Sequence, residues 1–241
     1  MLQIIMKKLI LGATGSIGSA LARKIVSQGD QVHLVARDQG LLSDLANQLN
    51  SSFTVADMLT ENYCEKILND IGDEDIDGLA FCVGSIDLKP LKLTKKSDFM
   101  QCFNLNLISA TEIIRATHEK LKKTKGSIVL FSTVAARKGF TNHSIISSAK
   151  AAVEGLTVSL AAEFAPNVRV NCIAPSLSKS KIAAPMLKNE KIAESIAKMH
   201  PLKRIGTGDD FSAFVSFLLN KESSWITGQI FGIDGGRSSV A

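Results

Sequence analysis

The stretch 7–26, KKLILGATGSIGSALARKIV, constrains this chain more than any other. A short apolar run ends at Gly12, further glycines stand at 15 and 18, and apolar residues at helical spacing follow at once. Strand, glycine turn and amphipathic helix in direct succession belong to a parallel α/β sheet, because the helix must cross back over the sheet to reach the next parallel strand. The turn also carries chemistry. The first N–H groups of a helix are unpaired and partly positive, so a pyrophosphate can rest against them. Glycines let the backbone approach that ligand and let the helix pack on the strand. Gly12, Thr14, Gly15, Ser16, Ile17 and Gly18 are the candidate phosphate-binding residues. A tight turn without a ligand is the other reading of this segment taken alone.

The alternation continues to the end of the chain. Apolar runs at 8–11, 31–35, 52–55, 78–82, 126–131, 168–173 and 229–233 are nearly continuous, as strands covered on both faces must be. Helical spacing fills 16–27, 39–49, 60–71, 97–122, 143–164 and 209–220. Ser97 followed by Asp98 marks a helix start, and Lys120, Lys122 and Lys123 suit the negative end of its dipole. The fold class is α/β: a Rossmann-type, doubly wound parallel sheet of about seven strands with helices on both faces. No linker or repeat interrupts it, so a single dinucleotide-binding domain over 1–241 is expected. The Ser/Lys-rich stretch 179–199 breaks the beat and is expected to form a flap beside the sheet's carboxyl edge.

Composition narrows the function. Of 241 residues, 45% are hydrophobic and 21% charged, which excludes a disordered chain. A net charge of +5, spread along the chain, suits a phosphorylated ligand. Without a basic run interleaved with aromatics it does not point to nucleic acid. Cys64, Cys82, Cys102 and Cys172 are far apart and show no zinc spacing with histidine, so no metal is expected and the four thiols suit a reducing cytosol. The first apolar stretches are broken by Lys7 and Lys8 and lack a small-residue cleavage site. A cytoplasmic protein without a membrane span is expected.

The second strand ends QVHLVARD. An NAD site usually places an acid here for the ribose 2′-hydroxyl. This chain has Ala36, and Arg37 next to it can pair with a 2′-phosphate. NADP is favoured over NAD, with a solvated arginine beside Asp38 as the alternative reading.

Further along, the sequence resembles the short-chain dehydrogenase/reductase family over nearly its whole length, most closely the 3-oxoacyl-(acyl-carrier-protein) reductase-like members. The likeness is carried by the glycine turn, ADM at 56–58, DFMQCFNLNL at 98–107, GSIVLFSTVAARKGF at 126–140, SSAKAAVEGLT at 147–157, RVNCIAPS at 169–176 and WITGQIFGIDGG at 225–236. The resemblance implies that Asp57 holds the adenine amino group with the Met58 backbone nearby. It implies that Val83 and Gly84 follow the fourth strand beside the cofactor and that Asn106 sits in a kinked helix. Lys150 would bond the nicotinamide ribose, Thr133 would hold the substrate oxygen, and Pro175 and Ser180 would flank the carboxamide. It also implies a tetramer or dimer, and a carrier-protein partner for the Lys-rich stretches 92–96 and 120–125, which read equally well as solvated helix ends.

Besides Thr133 for the usual Ser and Ser180 for the usual Thr, three places depart from the family pattern. Phe81-Cys82-Val83-Gly84 stands for N-N-A-G, and Pro175-Ser176 for Pro-Gly. Ile146 stands where the family has a tyrosine, one helical turn before the lysine, whose phenol exchanges a proton with the substrate oxygen. The chain's single tyrosine is Tyr63, on the third helix. The family implies hydride transfer between NADP(H) and a carbonyl or alcohol. With Ile146 in place, the chain either binds NADP(H) without turnover, uses a substrate protonated by itself or by water, or donates the proton from another residue. His143, two turns before Lys150, is the candidate donor, since an imidazole exchanges protons near neutrality, with a surface histidine at a helix start as the other reading.

Overall fold

The computed structural model describes residues 7–240; the expectation about a leader falls in part on residues 1–6, outside the described residues. Seven strands, β1 (Lys7–Leu11), β2 (Gln31–Ala36), β3 (Ser52–Val55), β4 (Gly78–Phe81), β5 (Ser127–Phe131), β6 (Arg169–Pro175) and β7 (Ile230–Ile233), form one sheet in the order β3-β2-β1-β4-β5-β6-β7. Every neighbouring pair is parallel. This is the expected doubly wound sheet, with strand ends moved by one or two residues.

The helices are α1 (Ser16–Ser27), α2 (Gln39–Leu49), α3 (Tyr63–Ile71), α4 (Lys96–Phe103), α5 (Ser109–Thr124), α6 (Ser144–Phe164), α7 (Ala184–Leu187), α8 (Glu190–Lys198) and α9 (Asp209–Leu219). Strand side chains alternate between faces, so each strand feeds two cores. Leu9, Leu11, Leu79, Ile128 and Val170 pack with Ile67 of α3, Ile113 of α5 and Val153 of α6. Ile10, Leu34, Ala80, Val129 and Ile173 pack with Leu21 of α1, Leu42 of α2 and Val215 of α9. Burial on both sides is why these strands read as unbroken apolar runs. Helix α6 has the length and apolar composition of a membrane span, and its buried face is the cover of this sheet.

Four helical expectations need correction. The helix expected at 60–71 begins at Tyr63, because Asp57 first closes a turn: its carboxylate accepts from the Leu59 N–H at 3.0 Å and its carbonyl from the Thr60 N–H at 3.1 Å. The helix expected from Ser97 starts at Lys96, since the Asp98 carboxylate accepts from the Lys95 N–H at 2.8 Å and makes Lys95 the cap. That helix is not continuous over 97–122: a π-helical turn, Asn104–Ile108, separates α4 from α5. His143 is the residue before α6 rather than its first turn, and the expected flap holds the two short helices α7 and α8.

Candidate active site

The strand order reverses beside β1, with β2 on one side and β4 on the other. A doubly wound sheet opens a crevice at the carboxyl ends of its strands at such a point. The glycine turn fills the base of that crevice. Gly12 and Ala13 both donate to the Val35 carbonyl, at 2.8 and 3.0 Å. Gly12 has φ +77°, and a Cβ there would stand 2.8 Å from the Cys82 carbonyl group. A Cβ on Gly18 would stand 2.4 Å from the Gly12 oxygen. Gly12 is therefore required by the close approach of the turn to the chain just after β4, and Gly18 by the close approach of α1 to the turn. Gly15 caps α1 without a side-chain bond, and Gly15, Ser16 and Ile17 line a cleft of about 320 Å³. Thr14, half-buried, completes the turn but does not line the cleft.

Arg37, Asp57 and Met58 stand just past the ends of β2 and β3, also outside the cleft lining. Arg37 is exposed and Met58 buried. Asp38 is occupied: its carboxylate accepts from the Leu41 N–H at 3.0 Å and caps α2. The acid beside Arg37 thus belongs to the helix.

The opposite wall is built by α6, the end of β5 and the loop after β6. Lys150, 7% exposed, donates from Nζ to the Phe131 carbonyl at 2.8 Å. Burial pushes its ammonium down to about 8, against the pull of the surrounding thiols of Cys172, Cys102 and Cys82. Thr133 lines the cleft; its hydroxyl donates to the Pro175 carbonyl at 3.4 Å and accepts from the Ala135 N–H at 3.3 Å. Ser132, next to it, is tied to α6 through Glu154 at 2.8 Å. Ile146, one turn before Lys150, is buried and lines the cleft. His143 lines it too, with Nδ1 2.7 Å from the Thr141 carbonyl and its ring against Phe140. Pro175, Ser176 and Ser180 complete this wall, Ser180 accepting from the Ala183 N–H at 3.1 Å.

Asn106 sits in the π-helical turn, 1% exposed. Its amide donates to the Cys102 carbonyl at 2.9 Å and to Ser85 at 3.3 Å, while Oδ1 has no partner among the described residues. A Cβ on Gly84 would meet that Oδ1 at 3.1 Å and Lys150 Nζ at 3.4 Å. Gly84 thus keeps a small space shared by a buried acceptor and a buried ammonium. Val83 packs against the core beside it. A backbone cradle at a helix start, with the Lys150 ammonium on the opposite wall and an unpaired amide oxygen sharing its space at Gly84, fits a dinucleotide. Tyr63 has no part in the site: its hydroxyl donates to the Ser109 carbonyl at 2.7 Å, under α5.

Two features have no sequence signal. Ser176 takes the turn after β6 without a positive φ, and its hydroxyl lies 2.8 Å from Nε2 of the buried His200. The pair is 24 residues apart, and only the folded flap brings it together. Arg237 reaches the cleft from the tail after β7, where no motif marks it.

The profile of a family described as enoyl-(acyl carrier protein) reductase matches residues 12–238. A tropinone reductase homolog of Arabidopsis thaliana is 31% identical over 238 residues, covering 95% of this chain and 90% of the relative. The 3-oxoacyl-[acyl-carrier-protein] reductase FabG of Rickettsia bellii is 30% identical, covering 96% of both chains. The solved structure of ElxO with NADP bound has a TM-score of 0.90 at 28% identity, covering 98% of this chain and 100% of that one. A tyrosine-to-phenylalanine variant of ElxO with NADPH bound has a TM-score of 0.89.

Proposed function

We propose, since this chain belongs to the short-chain dehydrogenase/reductase family, that it is an oxidoreductase moving hydride between NADP(H) and a small carbonyl or alcohol substrate, with a proton source other than tyrosine. The observation that carries this reading is Lys150, buried on the wall opposite the glycine turn, in a cleft that Ile146 leaves without a phenol. The NADP-bound relative ElxO, and Arg37 past the end of β2 with its neighbouring acid occupied, support NADP(H) over NAD(H).

The bound dinucleotide supplies or accepts the hydride. Gly12, Thr14, Gly15, Ser16, Ile17 and Gly18 cradle its phosphates, and Arg37, Asp57 and Met58 hold its adenosine end. Val83, Gly84, Pro175 and Ser180 shape the nicotinamide end. Lys150 bonds the ribose hydroxyls there, Asn106 Oδ1 offers the acceptor that keeps a donor beside the ammonium, and Thr133 holds the substrate oxygen. Ile146 cannot exchange a proton, so His143 is assigned that work. With Nδ1–H on the Thr141 carbonyl, Nε2 is the nitrogen that gives the proton in reduction and takes it in oxidation. A single-domain, cytoplasmic homodimer or homotetramer belongs to the same proposal.

Ile146 also favours a second reading, a chain that binds NADP(H) without turnover. NADPH oxidation against a carbonyl panel, in the native chain, His143→Ala and Ile146→Tyr, separates the two. The proposal expects turnover in the native chain, a fall of about 10²–10⁴ in His143→Ala and recovery when Ile146→Tyr is added. Turnover only in Ile146→Tyr supports the second reading. Full activity in His143→Ala removes His143 from its role.

A further inference from the structure

The cleft is lined by charge of one sign. Lys150, Lys181 and Arg237 face it, and among the described residues no aspartate or glutamate does. Lys150 donates to the Phe131 carbonyl and is assigned to the ribose, and Arg237 and Lys181 have no carboxylate within ion-pair distance among the described residues. Arg237 is nevertheless held in place. Its guanidinium lies over the Phe140 ring, 5.0 Å from the centroid, and donates to the Met199 sulfur at 3.4 Å. Its backbone is fixed too. Asp234 accepts from the Gly236 N–H at 2.8 Å and the Ser238 N–H at 2.9 Å, and Lys138 Nζ donates to the Arg237 carbonyl at 3.0 Å. Gly235 and Gly236 supply the positive φ values, +63° and +85°, that this turn needs.

A planar guanidinium stacked on a ring and satisfied otherwise by a thioether is oriented for a carboxylate, which it binds through two parallel N–H bonds. The ring beneath it also touches His143, so the cation stands on the wall assigned to proton transfer. The same cleft carries apolar side chains, Ile146 from α6 and Ile182, Met186 and Ile196 from the flap. We propose that the substrate is an oxo or hydroxy carboxylate with an aliphatic body, its carboxylate held by Arg237 and screened by Lys181 of the flap. This rests on the oxidoreductase reading for the reaction, though not for the anion site itself.

Calorimetric titration tests it with 2-oxoisocaproate and the matched neutral ketone, methyl isobutyl ketone, each with and without saturating NADP⁺. The native chain is expected to bind the oxo acid at least about tenfold more tightly than the ketone. Arg237→Gln should weaken oxo-acid binding by about 10- to 100-fold, the scale of hydrogen bonds to a charged group, and leave the ketone and NADPH affinities unchanged. Arg237→Lys, which keeps the charge without the fork, should fall between. Equal binding of acid and ketone overturns the proposal, as does full oxo-acid affinity in Arg237→Gln. Weaker NADPH binding in that variant would assign the guanidinium to the dinucleotide instead, and inorganic phosphate binding as tightly as the oxo acid would reject the carboxylate. The two readings fail separately. A native chain that takes the oxo acid through Arg237 but no NADPH sinks the oxidoreductase reading alone, and one that takes NADPH but no oxo acid sinks the anion site alone.

Discussion

The two walls of the cleft are built by different means. On the glycine-turn side the work is done by backbone: carbonyls and N–H groups at van der Waals distance, with Gly12 and Gly18 present because nothing larger fits. Across the cleft the lining is made of side chains, among them Lys150, Thr133, His143 and Arg237, with the unpaired Asn106 Oδ1 behind them at Gly84. A backbone wall tolerates little variation at its two tight glycines, since a Cβ at Gly12 or Gly18 collides with backbone. A side-chain wall can lose one group and keep its shape. Ile146 shows this: it is buried against Cys102, Ile145 and Ala149 in a small apolar cluster, and the wall stands with an aliphatic residue there.

That contrast can be broken first at Gly18. An alanine would bring its Cβ to 2.4 Å from a backbone oxygen, so Gly18→Ala should cost stability at the upper end of the roughly 1–3 kcal/mol for overpacking and abolish the NADPH-dependent rise in melting temperature. An unchanged NADPH response would show that the backbone wall yields to a single methyl group.

The foundation of the same wall is the next test. His33 on β2 is fully buried, with Nδ1 2.9 Å from Ser52 and Nε2 2.8 Å from Thr54, whose hydroxyl donates to Asp70 at 2.6 Å. Burial, aided by Lys7 and opposed by Asp70 and Glu74, pushes its imidazole down to about 4. The unfolded chain takes up that proton near 6.5, so the stabilising contribution is complete above pH 6.5 and is lost as pH falls towards 4. Urea melts should show a decline of about 2–3 kcal/mol across that window, absent in His33→Gln. An equal decline in both proteins would place the titration elsewhere.

The smallest effect is expected at Arg37, an exposed side chain at the outer end of the backbone wall. Arg37→Gln should narrow the preference for NADPH over NADH by about tenfold, the scale of one charge-assisted contact. Dissociation constants for the two dinucleotides measure it directly.

The same division explains what was legible beforehand. The parallel doubly wound class, the two-sided burial and the glycine turn follow from apolar runs and glycine spacing, which are local properties of the chain; the order of the strands in the sheet is not a local property and comes from the structure. Lys150 and Asn106 are legible through the family motifs around them. The π-helical turn at Asn104–Ile108 is not, because it is a change of hydrogen-bond register within a segment whose apolar spacing stays helical. Ser176 with His200 and Arg237 over Phe140 are not legible either. Each pair joins residues distant in the chain, so its geometry exists only once the flap and the tail fold over the carboxyl edge.

Calorimetric titration of the native chain with NADPH and with NADH tests the central claim most directly, that glycine-turn backbone and Lys150 enclose a site for a phosphorylated pyridine dinucleotide. One NADPH per chain, bound more tightly than NADH, is the predicted result. Absence of heat with both dinucleotides, in a protein that melts cooperatively, would contradict it.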